Sequence, residues 1–301
     1  MAQAQGLAST QRMKLGWIVN LVLLIGVIGL GTYAWHKERQ PKEPSHKLSA
    51  LPAAGVKRIA VTPRSRPGYA LEKRGETWFL TAPIEARADQ TQAQRMLDLL
   101  AATSKEKLAA TDLKRFDLDP PVLKVSMDGQ TFAFGGTNPL TQDQYLATGD
   151  SVYLVSTYYA SLVPSASDRM LTHSLFNEGE KAVGFKFKDF SVEQRDGKWT
   201  LAPPLSAGKE QPSQDDLNRW ADDWRYASSL VTQQWSGAPT AEAVEVKLAG
   251  GKTIVFIVVR KAPELILARP DEKLQFQFSG EMTRRLLSPT SGKDKESAGT
   301  S

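Results

Sequence analysis

The sequence predicts an α+β protein: two repeated units of antiparallel, twisted sheet, each with a packed helix, preceded by one transmembrane helix. Three observations predict it. An uncharged apolar run lies near the N-terminus, one order of segments occurs twice between residues 56 and 287, and most of those segments alternate apolar and polar residues.

Residues 1–16 carry Arg12 and Lys14 and are expected on the cytoplasmic side. From Trp17 to Tyr33 the chain reads WIVNLVLLIGVIGLGTY, without a charge, and Trp35 closes the run. At about 1.5 Å per helical residue, 17–35 matches the roughly 30 Å of a bilayer's hydrocarbon core. Trp17, Tyr33 and Trp35 fall at the interfaces where amphipathic rings settle. A cleaved signal would need a small-x-small site after a shorter apolar run, and HKERQPKEP offers none. Lys37, Arg39, Lys42 and Lys47 outnumber Arg12 and Lys14, so the flanking charge alone favours a cytoplasmic body. Gly26, Gly29 and Gly31 leave room for a neighbouring helix but miss strict G-x-x-x-G spacing.

Residues 36–55 are rich in Pro, Lys, Glu and Ser without periodicity and are expected to be a linker. Units at 56–178 and 179–287 follow, then a polar tail at 288–301 expected to be disordered. YALEKRGETWFLTAP from Tyr69 and FSVEQRDGKWTLAPP from Phe190 are the clearest repeated pair. Each turns at a glycine (Gly75, Gly197), presents a tryptophan (Trp78, Trp199) and stops at a proline (Pro83, Pro203), as a hairpin followed by a break does. Trp78 and Trp199 are expected to anchor a helix to each sheet. The helical stripes are Ala93, Met96, Leu97, Leu100 and Ala101, then Leu217, Trp220, Trp224, Ala227 and Val231. Strand pairs from Leu123 and Val244, then from Gln144 and Glu264, run into short helical stretches ending at Leu162 and Leu287.

Composition excludes some chemistry. No cysteine is present, so thiolate catalysis and cysteine-ligated zinc are out. The net charge is +5, but residues 1–74 hold twelve Lys or Arg against three acids, leaving 26 basic and 30 acidic residues beyond. A nucleic-acid binder carries its basic excess on the folded face. Here it flanks the apolar run, where anionic lipid headgroups lie, and no nucleic-acid partner is expected.

The partial motifs each have a plainer reading. GGKT at 250–253 lacks the glycine a phosphate loop needs at Val246 and runs into the strand-like IVFIVV. Ser104 and Lys107, like Ser206 and Lys209, fit S-x-x-K, which works only on a helix and with companion motifs missing here. Histidines 36, 46 and 173 form no ligand cluster, and Asp112, Asp117 and Asp119 around FDLDPP lack the glycine and glutamate of a calcium loop. No cofactor and no metal is expected. Asp215, Arg219, Asp222 and Asp223 put a mixed-charge face on the second helix, with Arg219 four residues after Asp215; this is the candidate partner-docking face.

The anchor, the W-x-L-x-x-P endings (Trp78, Leu80, Pro83; Trp199, Leu201, Pro204), the following helices and FDLDPP at Phe116–Pro121 together resemble the bacterial family of domain of unknown function 4340 over most of 56–287. The second unit has no clear FDLDPP. Some members of that family resemble or accompany auxiliary parts of ABC-type transport systems linked to gliding motility, which implies an envelope role with the soluble part typically outside the cytoplasm and, joined to the anchor at 17–35, a single-pass inner-membrane protein with a periplasmic body. No catalytic residue is carried over. The leading expectation is a non-enzymatic envelope accessory protein with a membrane-protein partner. One alternative is a lipid- or glycan-binding module with a groove built on Trp220, Trp224 or Trp235; another is a periplasmic hydrolase using Ser104 or Ser206. The oligomeric state stays open.

Overall fold

The computed structural model of the chain describes residues 20–33, 35, 45–206, 210–237 and 242–289. Two units are distinguished, Met1–His46 and Lys47–Ser301.

In the first unit residues 20–33 form a helix, α1. Its apolar side chains are exposed, and Thr32 returns its hydroxyl to the carbonyls of Ile28 and Gly29. Among the described residues no helix is long and apolar enough to cross a membrane. Residues 17–19 and 34 of the expected span lie outside the described residues, as do 1–16, 36–44 and 290–301.

The second unit is mostly sheet. In chain order its first half contains β1 (His46–Lys47, which begins in the preceding unit), β2 (Arg58–Pro63), β3 (Tyr69–Arg74), β4 (Thr77–Ala82), β5 (Ala86–Arg87), α2 (Gln90–Met96), β6 (Thr103–Ser104), β7 (Lys107–Ala109), β8 (Leu123–Met127), β9 (Gln130–Thr137), β10 (Gln144–Thr148), β11 (Ser151–Val155) and α3 (Tyr158–Ser161). The second half contains β12 (Ala182–Lys186), β13 (Ser191–Arg195), β14 (Lys198–Ala202), α4 (Gln214–Arg225), β15 (Val231–Gln234), β16 (Ala243–Leu248), β17 (Thr253–Arg260), β18 (Leu265–Arg269), β19 (Leu274–Phe278) and α5 (Gly280–Leu287).

Hairpin chemistry sets many of these boundaries. Asp128-Gly129 and Asp196-Gly197 each place two consecutive residues at positive φ, the geometry of the tight turn that matches strand twist. All pairings within the two large sheets are antiparallel. One sheet runs β5-β4-β3-β2-β8-β9-β10-β11-β7 and the other β14-β13-β12-β16-β17-β18-β19-β15. Apart from β5, the second order follows the first strand for strand. The protein is therefore α+β, with few helices and several antiparallel sheets.

Inward residues alternate along the strands, as in Ile59 and Val61 of β2 or Val244, Val246 and Leu248 of β16. One contiguous hydrophobic cluster takes side chains from both sheets and from α2, α4 and α5. Trp78 and Trp199 are both buried in it, while Pro83 and Pro203 lie exposed just past β4 and β14.

Three expectations are corrected. Residues 48–55 are not linker: Leu48 is buried, Leu51 and Ala53 pack against the core, and Val56 follows them inside, because their apolar side chains gain more from burial than from solvent exposure. The first helical stripe stops being α-helix after Met96 and continues as a 3-10 turn, Leu97–Ala101, which leaves Ala101 exposed. The second helix ends at Arg225, and Val231 is the first residue of β15. A β-branched residue among Ser, Thr and Gln suits a strand better than a helix.

Candidate functional site

On β2, β3, β4 and β8 the inward positions carry the core, and the outward positions at the middle of the face, Ala60, Ala70, Thr81 and Ser126, are small. Ala60 lies opposite both Ala70 and Ser126. Between β3 and β4 the register skips Thr81, so β4 bulges there and the Thr81 hydroxyl donates to the Ala70 carbonyl at 3.3 Å. Small side chains on a twisted face leave a cleft of about 810 Å³, floored by Ala60, Ala70, Thr81 and Ser126.

Its rim is charged on both signs. Arg58 faces Glu72 at 3.5 Å, and Glu72 also meets Arg74 at 3.6 Å. Lys57, Lys73 and Asp128 complete the rim, with Lys73 held by Glu76 at 2.8 Å. Asp128 is occupied structurally, since its two oxygens accept the main-chain N–H groups of Lys57 and Arg58 at 3.0 and 2.8 Å. These are partly exposed ion pairs in high dielectric, so each is worth about 1 kcal/mol or less and can exchange for a ligand's charge. A polar or zwitterionic surface suits such a rim better than an apolar chain.

The incoming chain is pinned beside this cleft. Ser49 donates to Gln130 at 2.7 Å, and Gln130 donates to the Leu48 carbonyl at 3.1 Å. Gly129, in the same turn, lines both the cleft and a second hollow of about 430 Å³ that Leu48 borders.

The FDLDPP segment covers the neighbouring part of the same face. Phe116 and Leu118 pack with Val152 in a small separate cluster, and the Phe116 ring lies 4.6 Å from Tyr145. Asp112 and Asp117 sit at positive φ on either side of a 3-10 turn, and Asp117 pairs with Arg64 at 2.7 Å. The three aspartates thus serve a turn, and among the described residues no group of His, Cys, Asp or Glu could hold a metal ion.

Of the predicted partner face, Asp215, Arg219 and Asp222 are exposed on α4 and Asp223 is half-buried. Arg219 meets Asp216 at 3.9 Å instead of the expected Asp215, and Asp223 is paired with Arg285 of α5. The face therefore splits: Asp215 and Asp222 look outward, whereas Asp223 ties two helices together. Trp220 and Trp224 form no groove. Both are buried among Phe185 and its neighbours, and both indole N–H groups donate to the Leu286 carbonyl, at 3.2 and 2.8 Å. A carbonyl at a helix C-terminus lacks an intrahelical partner, so these indoles supply it. Trp235 is half-buried at the end of β15. Ser104 lies on a strand, buried, and its hydroxyl sits 2.6 and 2.7 Å from the carbonyls of Leu154 and Glu106. The helix that S-x-x-K requires is not formed there; Lys209 lies outside the described residues.

Two features escaped sequence reasoning. In each half the first residue of the helix is a glutamine whose amide clamps the main chain of the tryptophan. Gln90 accepts from Trp78 N–H at 2.7 Å and donates to its carbonyl at 2.9 Å; Gln214 does the same to Trp199 at 3.0 and 2.5 Å. A glutamine shortly past W-x-L-x-x-P in both halves was the available signal. The second is a buried ionic cluster. Arg87 contacts Glu272 at 2.8 Å, and Arg269 contacts Glu180 at 2.8 Å, Asp271 at 3.1 Å and Glu272 at 3.2 Å. The two guanidiniums also donate to the carbonyls of Ser174, Leu175 and Phe176. Burial pulls Arg87 below its ordinary pKa, and Glu272 offsets this only in part. Burial also pushes Glu180 up, but hydrogen bonds from Arg269 and the Asn177 main chain, with the Arg269 charge, outweigh it and hold the carboxyl at about 2.

Fold and surfaces together define an α+β protein of antiparallel sheets with an open polar cleft on one of them. A family model described as Domain of unknown function (DUF4340) matches residues 78–236, more than half of the chain, and the chain belongs to that family. No curated protein and no solved structure matches it.

Proposed function

We propose that this chain is a single-pass inner-membrane accessory protein of the cell envelope, without catalytic activity, whose first-sheet cleft docks a membrane-protein partner belonging to an ABC-type transport system. The observation that carries this reading is the pinning of Leu48–Leu51 beside the cleft by Ser49 and Gln130. In this reading residues 17–35 are the anchor, and the body stands on the periplasmic side. The chain between Trp35 and Leu48 can then reach at most about 45 Å even when fully extended. The matching strand order of the two sheets supports an origin by duplication, with the first copy keeping an open face for the partner and a tether beside it.

Two measurements on the full chain test it. Alkaline phosphatase and green fluorescent protein fused after Pro270 or at the C-terminus report the side of the membrane: active phosphatase with a dark fluorophore is expected. A photo-cross-linking residue at Ala60 should then give an adduct with an integral membrane protein, and one at Lys247 on the second sheet should not. A bright fluorophore fusion, or equal adducts at both positions, would sink the proposal.

A further inference from the structure

The two sheets end differently at the same topological place. β7 closes the first sheet beside β11, and β15 closes the second beside β19. An edge strand presents unpaired main-chain groups, and natural proteins protect such edges with charge, proline, bulges or extreme shortness. β7 is three residues long and begins at Lys107, directly after Lys105 and Glu106, so charge protects it.

β15 is only one residue longer and carries no charge, proline or bulge. From Tyr226 to Gly237 there is no charged residue and no proline. Its ladder to β19 is regular over all four residues, and it extends outward as Leu230 donates to the Gln277 carbonyl and Trp235 to that of Lys273, each at 2.8 Å. On the far side, among the described residues, main-chain cover is confined to the stretch before the strand, where Ser228 bridges to Ser174 and Ser229 donates to the His173 carbonyl. Large apolar side chains gather here too: Tyr226, Leu230 and Val231 are 70%, 63% and 40% exposed.

We infer that β15 is a homotypic interface, at which a second copy of this chain adds its own β15 antiparallel to this one and joins the two eight-stranded sheets edge to edge. The occupant follows from charge. A two-fold antiparallel strand pair sets residue i opposite residue j of the other copy and a residue on the axis opposite itself, so a charge near the centre of a short strand would face or neighbour its own copy. The Tyr226–Gly237 segment meets that condition by carrying no charge, whereas Lys107 would violate it at the equivalent edge. Thr232, the one inward residue of β15, is already satisfied by Ser229 at 2.8 Å, so pairing leaves the core untouched. The inference does not depend on the membrane reading above.

The absence of native cysteine makes the test direct. Gln233→Cys and, as a control, Lys107→Cys are introduced singly into the full chain and treated in intact cells with a short, membrane-permeant bis-maleimide. The Gln233→Cys chain is expected to give a product of twice the chain mass, and the Lys107→Cys chain none. Adding Val231→Lys to Gln233→Cys, at an exposed position that leaves folding intact, should cut the product by about tenfold or more, since like charges set against each other across an interface suppress pairing. No product from Gln233→Cys, equal product from Lys107→Cys, insensitivity to Val231→Lys, or an adduct with a different protein would each overturn the second copy as occupant. Circular dichroism of each variant matching the parent keeps a folding failure from passing as a negative.

Discussion

At the scale of single residues, glycine and aspartate explain where this chain can bend closely on itself. A Cβ placed on Gly135 would sit 2.2 Å from the Phe116 carbonyl oxygen and 2.8 Å from the Leu118 side chain. The FDLDPP segment can therefore lie on β9 only because residue 135 has no side chain. Gly129 is the contrasting case, with open space around its Cβ position but φ at +93°. Gly135→Ala should destabilise the fold by about 1–3 kcal/mol through overpacking against main chain that cannot easily retreat. It should also expose Phe116, seen as a rise in protease sensitivity between β7 and β8. Urea unfolding checks the first effect and limited proteolysis the second. An unchanged midpoint would mean that the segment does not rest on β9. The dependence of residues 116–118 on 135 was not legible in the sequence, where the two stretches form separate patterns; their contact is tertiary.

At the scale of elements, the tryptophan clamp shows how a helix is fixed to a strand. β14 is the last strand of its sheet, and Gln214 stands where a further strand would donate and accept. The capping box between Ser213 and Asp216 sets the helix start and so aims the Gln214 side chain. Gln214→Leu keeps the volume but removes both hydrogen bonds, leaving the Trp199 N–H and carbonyl to water or to nothing. A loss of about 1–3 kcal/mol is expected in urea unfolding, and Gln90→Leu should cost a similar amount, since it orphans the Ala88 carbonyl while the Trp78 carbonyl keeps the Ala88 N–H. Equal midpoints for Gln214→Leu and the parent would show that water replaces the amide without cost.

Hairpins and apolar stripes were readable because their signals are local: Asp-Gly turns, alternation, and the spacing of Leu217, Trp220 and Trp224. Helix ends were not, since Val231 continues the stripe by spacing while its β-branching and the pairing with Gln277 make it strand. The candidate cleft was invisible for another reason. Ala60, Ala70 and Ser126 are unremarkable in sequence and become neighbours only when the register is set.

At the scale of the whole molecule, the segment between the sheets is held by arginines drawn from both. Arg87 comes from β5 and Arg269 from β18; they are 6% and 1% exposed, and both donate into the carbonyls of residues 174–176. Buried carbonyls outside sheet and helix need donors from somewhere, and charged donors buried with them need carboxylates. Glu180 and Glu272 answer that need. Removing one member leaves the others charged and dry, so Arg87→Met should cost about 3 kcal/mol or more, whereas a double change with Glu272→Met should recover part of it. The same cluster sets an acid limit. The Glu180 carboxyl is held at about 2, below its ordinary value of 4.5, so the unfolded chain binds the proton more readily. Its contribution is therefore complete above pH 4.5 and is lost as pH falls from there toward 2. Urea midpoints for the parent should drop across that window more steeply than those of Glu180→Gln, which starts less stable at neutral pH but has no proton to take up at this site. If the two curves run parallel, the cluster is not what ties stability to acid, and other carboxylates carry the slope. If they converge, the Glu180–Arg269 pair supplies the acid-sensitive part of the stability between pH 4.5 and 2.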